Sequence, residues 1–147
     1  MKEVILYTDG ACSGNPGKGG YCGILFYNGH EKIVSGGENE TTNNKMELLA
    51  VVNGLKALNQ SCSVKVYSDS AYVVNAFING WVYSWQLNGW RTQDKKPVKN
   101  VELWQELVSL TKYHKVEFIK VKGHSDNEQN NRCDKIARGE IDKLQKN

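Results

Sequence analysis

A chain of 147 residues with 39% apolar residues, 24% charged residues and only 2 prolines is long enough to bury a core of its own and is expected to form one domain over residues 1–147. It has no run of about 18 apolar residues, which excludes a membrane-spanning helix, and Glu3 and Asp9 interrupt the amino terminus where a signal peptide needs an apolar core. The net charge of +3 comes from 19 Lys and Arg against 16 Asp and Glu, and becomes a mild bias toward a polyanion if four of the acids are gathered in one place.

In chain order, strands are expected at residues 3 to 9, 21 to 27 and 31 to 36, three β-rich runs punctuated by glycine and forming an antiparallel meander. The pattern then changes period. Leu48, Val51 or Val52, Leu55 and Leu58 recur at helical spacing, so a helix is predicted over 43 to 58, with Thr41, Thr42 and Asn43 offering caps. There follow a strand at 64 to 68, helical segments from about 71 to 87, and an irregular stretch containing Gly89 and Pro97. A helix from about 100 to 112, a strand at 116 to 121 and a last helix from about 127, carrying Cys133, Ile136, Ala137, Ile141 and Leu144, complete the order. Later strands joined through helices are expected to run parallel to the first, giving an α/β domain. Cys12, Cys22, Cys62 and Cys133 are too scattered for a Cys-x-x-Cys pair and read as buried thiols of a cytoplasmic protein. His30 and His114 read as surface residues, and no Cys/His cluster has zinc spacing.

The chemistry lies in the acids. Tyr7-Thr8-Asp9-Gly10-Ala11 and Tyr67-Ser68-Asp69-Ser70-Ala71 are nearly the same pentapeptide, each closing a β run with Asp and a small residue. If their strands are parallel neighbours about 4.8 Å apart, both carboxylates leave the carboxyl edge of the sheet, where open α/β sheets bind ligands. An Asp at a strand end also serves as a turn former, which is the ordinary reading of either alone. Glu47 heads a helix stripe whose next members are the small Ala50 and Gly54, and Asp134 heads a similar stripe with Ala137 and Ile141. Each could instead answer to a nearby base, for instance Asp134 to Arg138. Carboxylates crowded together repel, however, and hard divalent cations are the usual remedy, Mg²⁺ fitting best because it favours carboxylates, water and phosphate oxygens.

The strings at 7 to 17, 41 to 48, 67 to 70, 94 to 100 and 121 to 124, followed by Asn130, Arg132, Cys133 and Asp134, resemble type 1 ribonuclease H in motif order and spacing from residue 2 to about 144. The resemblance implies a ribonuclease H-like fold, a five-stranded mixed sheet in order 3-2-1-4-5 with helices on both faces. It also implies endonucleolytic hydrolysis of the RNA strand of RNA·DNA hybrids, leaving 5′-phosphate and 3′-hydroxyl ends. Asp9, Glu47, Asp69 and Asp134 then match the metal-binding acids of a two-ion site, with Mg²⁺ as the ion and Mn²⁺ as its substitute, and His124 matches a histidine that assists proton transfer or product release.

The same resemblance points to Cys12, Asn15, Thr42, Asn43 and Asn44 as contacts to the hybrid, and amide side chains suit base edges and 2′-hydroxyls. It marks residues 81 to 99 as a basic protrusion, or handle, with Trp81, Trp85, Lys95, Lys96 and Lys99 facing nucleic acid while Trp104 and Trp90 anchor helices. Gln86, Leu87 and Asn88 depart from the basic pattern there, and Ala71 stands where a larger side chain is common. The Gly-rich stretch 14 to 23 is no P-loop, since Cys12 and Gly19 occupy the positions that need Gly and Ser or Thr. Two alternatives are a DNA-directed nuclease of the same fold, against which Asn43 and Asn44 argue, and a non-catalytic hybrid-binding module, which would gain nothing from clustering four acids. The partner expected is an RNA·DNA hybrid, with no membrane, no obligate protein partner and a monomeric state.

Overall fold

The computed structural model describes residues 1–122 and 127–146. Strands β1 (Lys2–Gly14), β2 (Gly17–Tyr27) and β3 (His30–Thr41) form the meander, followed by α1 (Asn43–Lys56) and β4 (Cys62–Ser68). Helices α2 (Ala71–Ile78), α3 (Trp81–Asn88) and α4 (Val101–Tyr113), strand β5 (Lys115–Lys120) and α5 (Glu128–Gln145) complete the described chain. The sheet has the order β3-β2-β1-β4-β5, antiparallel at β1/β2 and β2/β3 and parallel at β1/β4 and β4/β5, as the sequence implied.

The period-2 pattern of β1 divides its side chains between two cores. Val4 and Leu6 meet Leu48, Val51 and Leu55 of α1 and Trp104 and Leu107 of α4 on one face. Tyr7 turns to the other face, where Cys22 and Ile24 of β2 pack against Cys133 and Ala137 of α5. Helices on both faces bury the sheet and set the direction from which each can deliver a side chain to its edge.

Two elements differ from the sequence expectation for a clear reason. The meander strands are longer than predicted, β1 running on to Gly14 and β2 starting at Gly17. Glycines usually weaken a strand, but here they permit close approach: a Cβ on Gly20 would lie 2.1 Å from the Ala137 carbonyl oxygen of α5. Helical structure between 71 and 87 divides at Gly80, whose left-handed backbone (φ +76°) ends one axis and starts another. His114 is a further correction: it is only 3% exposed, not a surface residue. Its Nδ1 accepts from the backbone N–H of Cys62 at 3.1 Å, so the ring is hidden because the first amide of β4 needs an acceptor, and burial lowers its pKa.

The tight seam between β2 and α5 gives a contrast to measure. Gly20→Ala is expected to lower the unfolding free energy by about 1–3 kcal/mol through overpacking against backbone. Gly139→Ala, in the interior of α5 with nothing within 4 Å of its Cβ position, is expected to raise it by about 0.5–1 kcal/mol. Urea unfolding of both variants checks the pair; equal effects would contradict the packing described.

Candidate active site

Strands β1 and β4 run in parallel register, with Tyr7 opposite Tyr67, and the two rings stack at 5.1 Å. The repeated pentapeptide is therefore a register repeat: two residues beyond the matched tyrosines, Asp9 and Asp69 stand side by side. They do not both close a strand. β4 ends at Ser68, whereas β1 continues past Asp9 paired with β2 alone, so the acids lie where β1 loses its parallel neighbour.

Helix α1 supplies the third acid. Its first turn crosses β1 at Gly10, where a Cβ would lie 2.5 Å from the backbone nitrogen of Glu47, so only glycine admits the helix this closely. The Gly10 N–H donates to Asp9 Oδ1 at 2.9 Å and to Glu47 Oε1 at 2.6 Å, one donor holding two carboxylates together. Thr42 fixes the start of α1, its hydroxyl accepting from the Lys45 N–H at 3.2 Å. Carboxylate oxygens of Asp9, Glu47 and Asp69 lie within 4.8 Å of one another, a set that could hold a metal ion. Asp9 and Glu47 are 6% and 4% exposed.

Asp134 joins them less tightly. It lines the same cavity of about 450 Å³, yet its Oδ2 accepts from Arg138 Nη2 at 2.7 Å, the alternative partner that its sequence position suggested. That pair is 65% open to solvent on the arginine side, which limits its worth. Another cavity of about 390 Å³, lined by Phe77, Val82, Val108 and Phe118 among others, contains no carboxylate in its lining.

Electrostatics single out the same spot. Burial first, then the charges of Asp69 and Asp134, push the Asp9 carboxyl up to about 7 against the pull of its hydrogen bonds. Burial, followed by the charge of Asp9, holds Glu47 well above the usual carboxylate range. Glu47 Oε2 is buried with no hydrogen-bond partner. An oxygen-only donor set with an orphaned buried carboxylate oxygen suits a hard divalent cation.

The family model for RNase H matches residues 1–142. The chain belongs to the RNase H family. A ribonuclease H of Acetivibrio thermocellus is 62% identical over 146 residues, 99% of either chain. The crystal structure of LC9-RNase H1, a type 1 RNase H with the type 2 active-site motif, superposes with a TM-score of 0.84 at 30% identity, covering 95% of this chain and 72% of that one. LC11-RNase H1, solved in complex with an RNA/DNA hybrid, shares the fold with a TM-score of 0.72 at 24% identity over 96% of this chain and 98% of that one.

Other residues singled out by the RNase H resemblance fall in three groups. Asn43 and Asn44 are exposed and line the cavity of the acids. Asn15 is tied to them, its Oδ1 accepting from the Asn43 N–H at 3.2 Å, and the Cys12 thiol turns to the Thr41 carbonyl at 3.4 Å. The handle residues lie apart from the cavity: Trp81, Lys95, Lys96 and Lys99 are exposed, whereas Trp85 packs on Trp104 at 5.2 Å between ring centres. Trp85 thus anchors α3 as Trp104 anchors α4, and Trp90 lies 6.3 Å from it. His124 lies outside the described residues. Sequence reasoning gave no site role to Gly10, Ser70, Tyr72, Lys122, Asn130 or Asn131, which also line the cavity, although Gly10, Ser70, Lys122 and Asn130 lie in its motifs. For Asn130 a signal existed, since it stands one helical turn before Asp134 on the same face.

The raised Asp9 pKa carries a sign. Its folded value of about 7 exceeds the ordinary 3.8, so its contribution to metal-free stability is present at low pH and lost as pH rises through that interval. In chelator, Asp9→Asn is expected to gain roughly 2–4 kcal/mol relative to the parent between pH 5 and pH 8. Parallel denaturation curves check this; a pH-independent difference would contradict the crowding.

Proposed function

We propose that this site hydrolyses the RNA strand of RNA·DNA hybrids with two divalent cations held by Asp9, Glu47, Asp69 and Asp134, Mg²⁺ serving and Mn²⁺ substituting. Membership of the RNase H family supports the hydrolysis, and the hybrid-bound relative of the same fold supports the substrate. The observation that carries the metal reading is Glu47 Oε2, a carboxyl oxygen buried beside two further acids with no hydrogen-bond partner. When bound, the cations would yield a nucleophile from water at neutral pH and offset the charge on the departing 3′-oxygen.

The chain's own residues hold and orient. The Gly10 N–H fixes one oxygen of Asp9 and one of Glu47, leaving their other oxygens for a cation. Asp9, with Glu47 and Asp69 both in reach, would hold a cation together with them. Water adds to phosphorus as the P–O3′ bond breaks, the 3′-oxygen gains a proton and the phosphate stays with the 5′ end. His124 assists that proton traffic, its imidazole being the side chain best matched to neutral pH. Asn43 and Asn44 at the cavity rim, with Asn15 and Cys12 beside them on the β1/β2 hairpin, meet the minor groove, where both donor and acceptor are needed for a 2′-hydroxyl. Thr42 joins them through its hydroxyl proton, its oxygen being engaged in the cap.

Residues 81–99 act as the handle on the DNA strand. The turn at its tip is held by Arg91 Nη1 donating to the Lys95 carbonyl at 3.0 Å and by the Thr92 N–H donating to the Lys96 carbonyl at 2.8 Å. This leaves the ammonium groups of Lys95, Lys96 and Lys99 for phosphate, with Trp81 exposed in the same segment and Trp85 supporting from within. The enzyme is a single domain over residues 1–147, works as a cytoplasmic monomer and needs no protein partner.

Labelled RNA·DNA hybrid, duplex RNA, duplex DNA and single strands, offered with Mg²⁺, Mn²⁺ or chelator, test the reading. Cleavage of only the RNA strand of the hybrid, dependent on metal and reduced at least about 10³-fold by Asp9→Asn, is expected. Cleavage of DNA would favour the DNA-directed alternative, and hybrid binding without cleavage the non-catalytic one. Removing Lys95, Lys96 and Lys99 together is expected to flatten the salt dependence of hybrid affinity by about 2–3 units of log–log slope without altering strand choice. An unchanged slope would remove the handle from the interface.

A further inference from the structure

Asn130 lies 8% exposed in the first turn of α5, lining the cavity of the acids one turn before Asp134. Its backbone N–H is taken by the N-cap, donating to Asn127 Oδ1 at 3.1 Å. A side chain at this position of a helix often reaches back to the N-cap amide. Asn130 instead crosses to the sheet, its Nδ2 donating to the Thr8 carbonyl at 3.3 Å, on the peptide that leads into Asp9. This bond settles which end of the amide faces where, because only the nitrogen can donate to a carbonyl. Oδ1 therefore points away from Thr8, and it is buried with no hydrogen-bond partner.

A buried amide oxygen left unpaired is costly, and such groups are satisfied in folded proteins by protein, water or ion. Two residues that line this one cavity each carry such a buried orphan, Glu47 Oε2 and Asn130 Oδ1. They differ in kind. A carboxylate oxygen competes as a direct ligand of a hard cation, whereas a neutral amide oxygen beside three acids is better matched to the hydrogens of a hydrated ion, which Mg²⁺ keeps in number. Groups in this outer position orient the inner ligands and commonly carry a 10–100-fold share of metal affinity.

We infer that Asn130 is a positioning residue of the metal site, its Oδ1 accepting a hydrogen bond from the water shell of a divalent cation while its Nδ2 ties α5 to the backbone beside Asp9. One side chain then links the helix that carries Asp134 to the strand that carries Asp9, and the cation's water completes its hydrogen bonds. The inference rests on the cation-binding reading of the acids.

Calorimetric titration of the full chain with Mg²⁺, paired with thermal unfolding in chelator and in excess Mg²⁺, tests it without recourse to turnover. In the parent, Mg²⁺ binding and a metal-dependent rise in Tm are expected; if both are missing, the cation reading itself fails and Asn130 loses its role with it. Given parent binding, Asn130→Ala is expected to weaken Mg²⁺ affinity about 10–100-fold and to shrink the metal-dependent rise in Tm. Asn130→Asp keeps an acceptor but loses the donor to Thr8, so it is expected to bind Mg²⁺ at least as tightly as the parent, even where its chelated form melts lower. Affinity within twofold of the parent for Asn130→Ala, or an Asn130→Asp as weak as Asn130→Ala, overturns the inference. The second result would assign the whole effect to the Thr8 tether.

Discussion

The close crossing of α1 over β1 at Gly10 is the constraint from which the site follows. A helix can deliver a carboxylate beside a strand only if their backbones nearly touch, and here any Cβ on Gly10 would meet the Glu47 peptide nitrogen at 2.5 Å. The same glycine offers its N–H to both Asp9 and Glu47. The residue that permits the crowding also partly relieves it. What remains unrelieved is charge, visible in the raised pKa values of the two buried acids and in the unpartnered Glu47 Oε2. Stability is thereby sacrificed for a place where positive charge is wanted.

Each of the other elements has a definable part in keeping that place. Parallel pairing of β1 with β4 brings Asp69 into register with Asp9, and the stacked Tyr7 and Tyr67 rings mark the last matched pair before the strands part. Helix α5 packs on β2 through Gly20, Cys133 and Ala137, which fixes the height of Asp134 above the sheet edge. Asp134 is the loosest of the four acids, engaged with Arg138 on its own helix and outside the tight trio.

Much of this was legible in the sequence because it is encoded locally. The repeated pentapeptide gave the two aspartates, and the small residues after Glu47 gave the inward face of α1. The directions of the strands followed from the meander and the helical crossovers, and their order in the sheet from the resemblance to ribonuclease H. The errors came where distant packing overrides local preference. Gly19 and Gly20 read as punctuation, yet they form strand because β3, α1 and α5 press against them. His114 read as a surface residue, since nothing near it in sequence reveals that the first amide of β4 needs its ring. Trp85 was placed against nucleic acid on the strength of its neighbours, and only the folded chain brings it to Trp104. Asn130 was visible beside Asp134, but that its nitrogen is committed to Thr8 is a matter of tertiary geometry.

The anchoring of α3 has a wider bearing. Trp85 and Val82 face inward and secure the helix, while Tyr83 and Leu87 are exposed and Asn88 holds the following turn through two hydrogen bonds with the Arg91 backbone. Attachment and outward character are thus carried by different residues of one eight-residue helix. Evolution can rewrite the outer face, exchanging charge for apolar or amide side chains, with little penalty to folding and none to the acids at the sheet edge. The protrusion is the part of the molecule where adaptation to new surroundings meets least resistance.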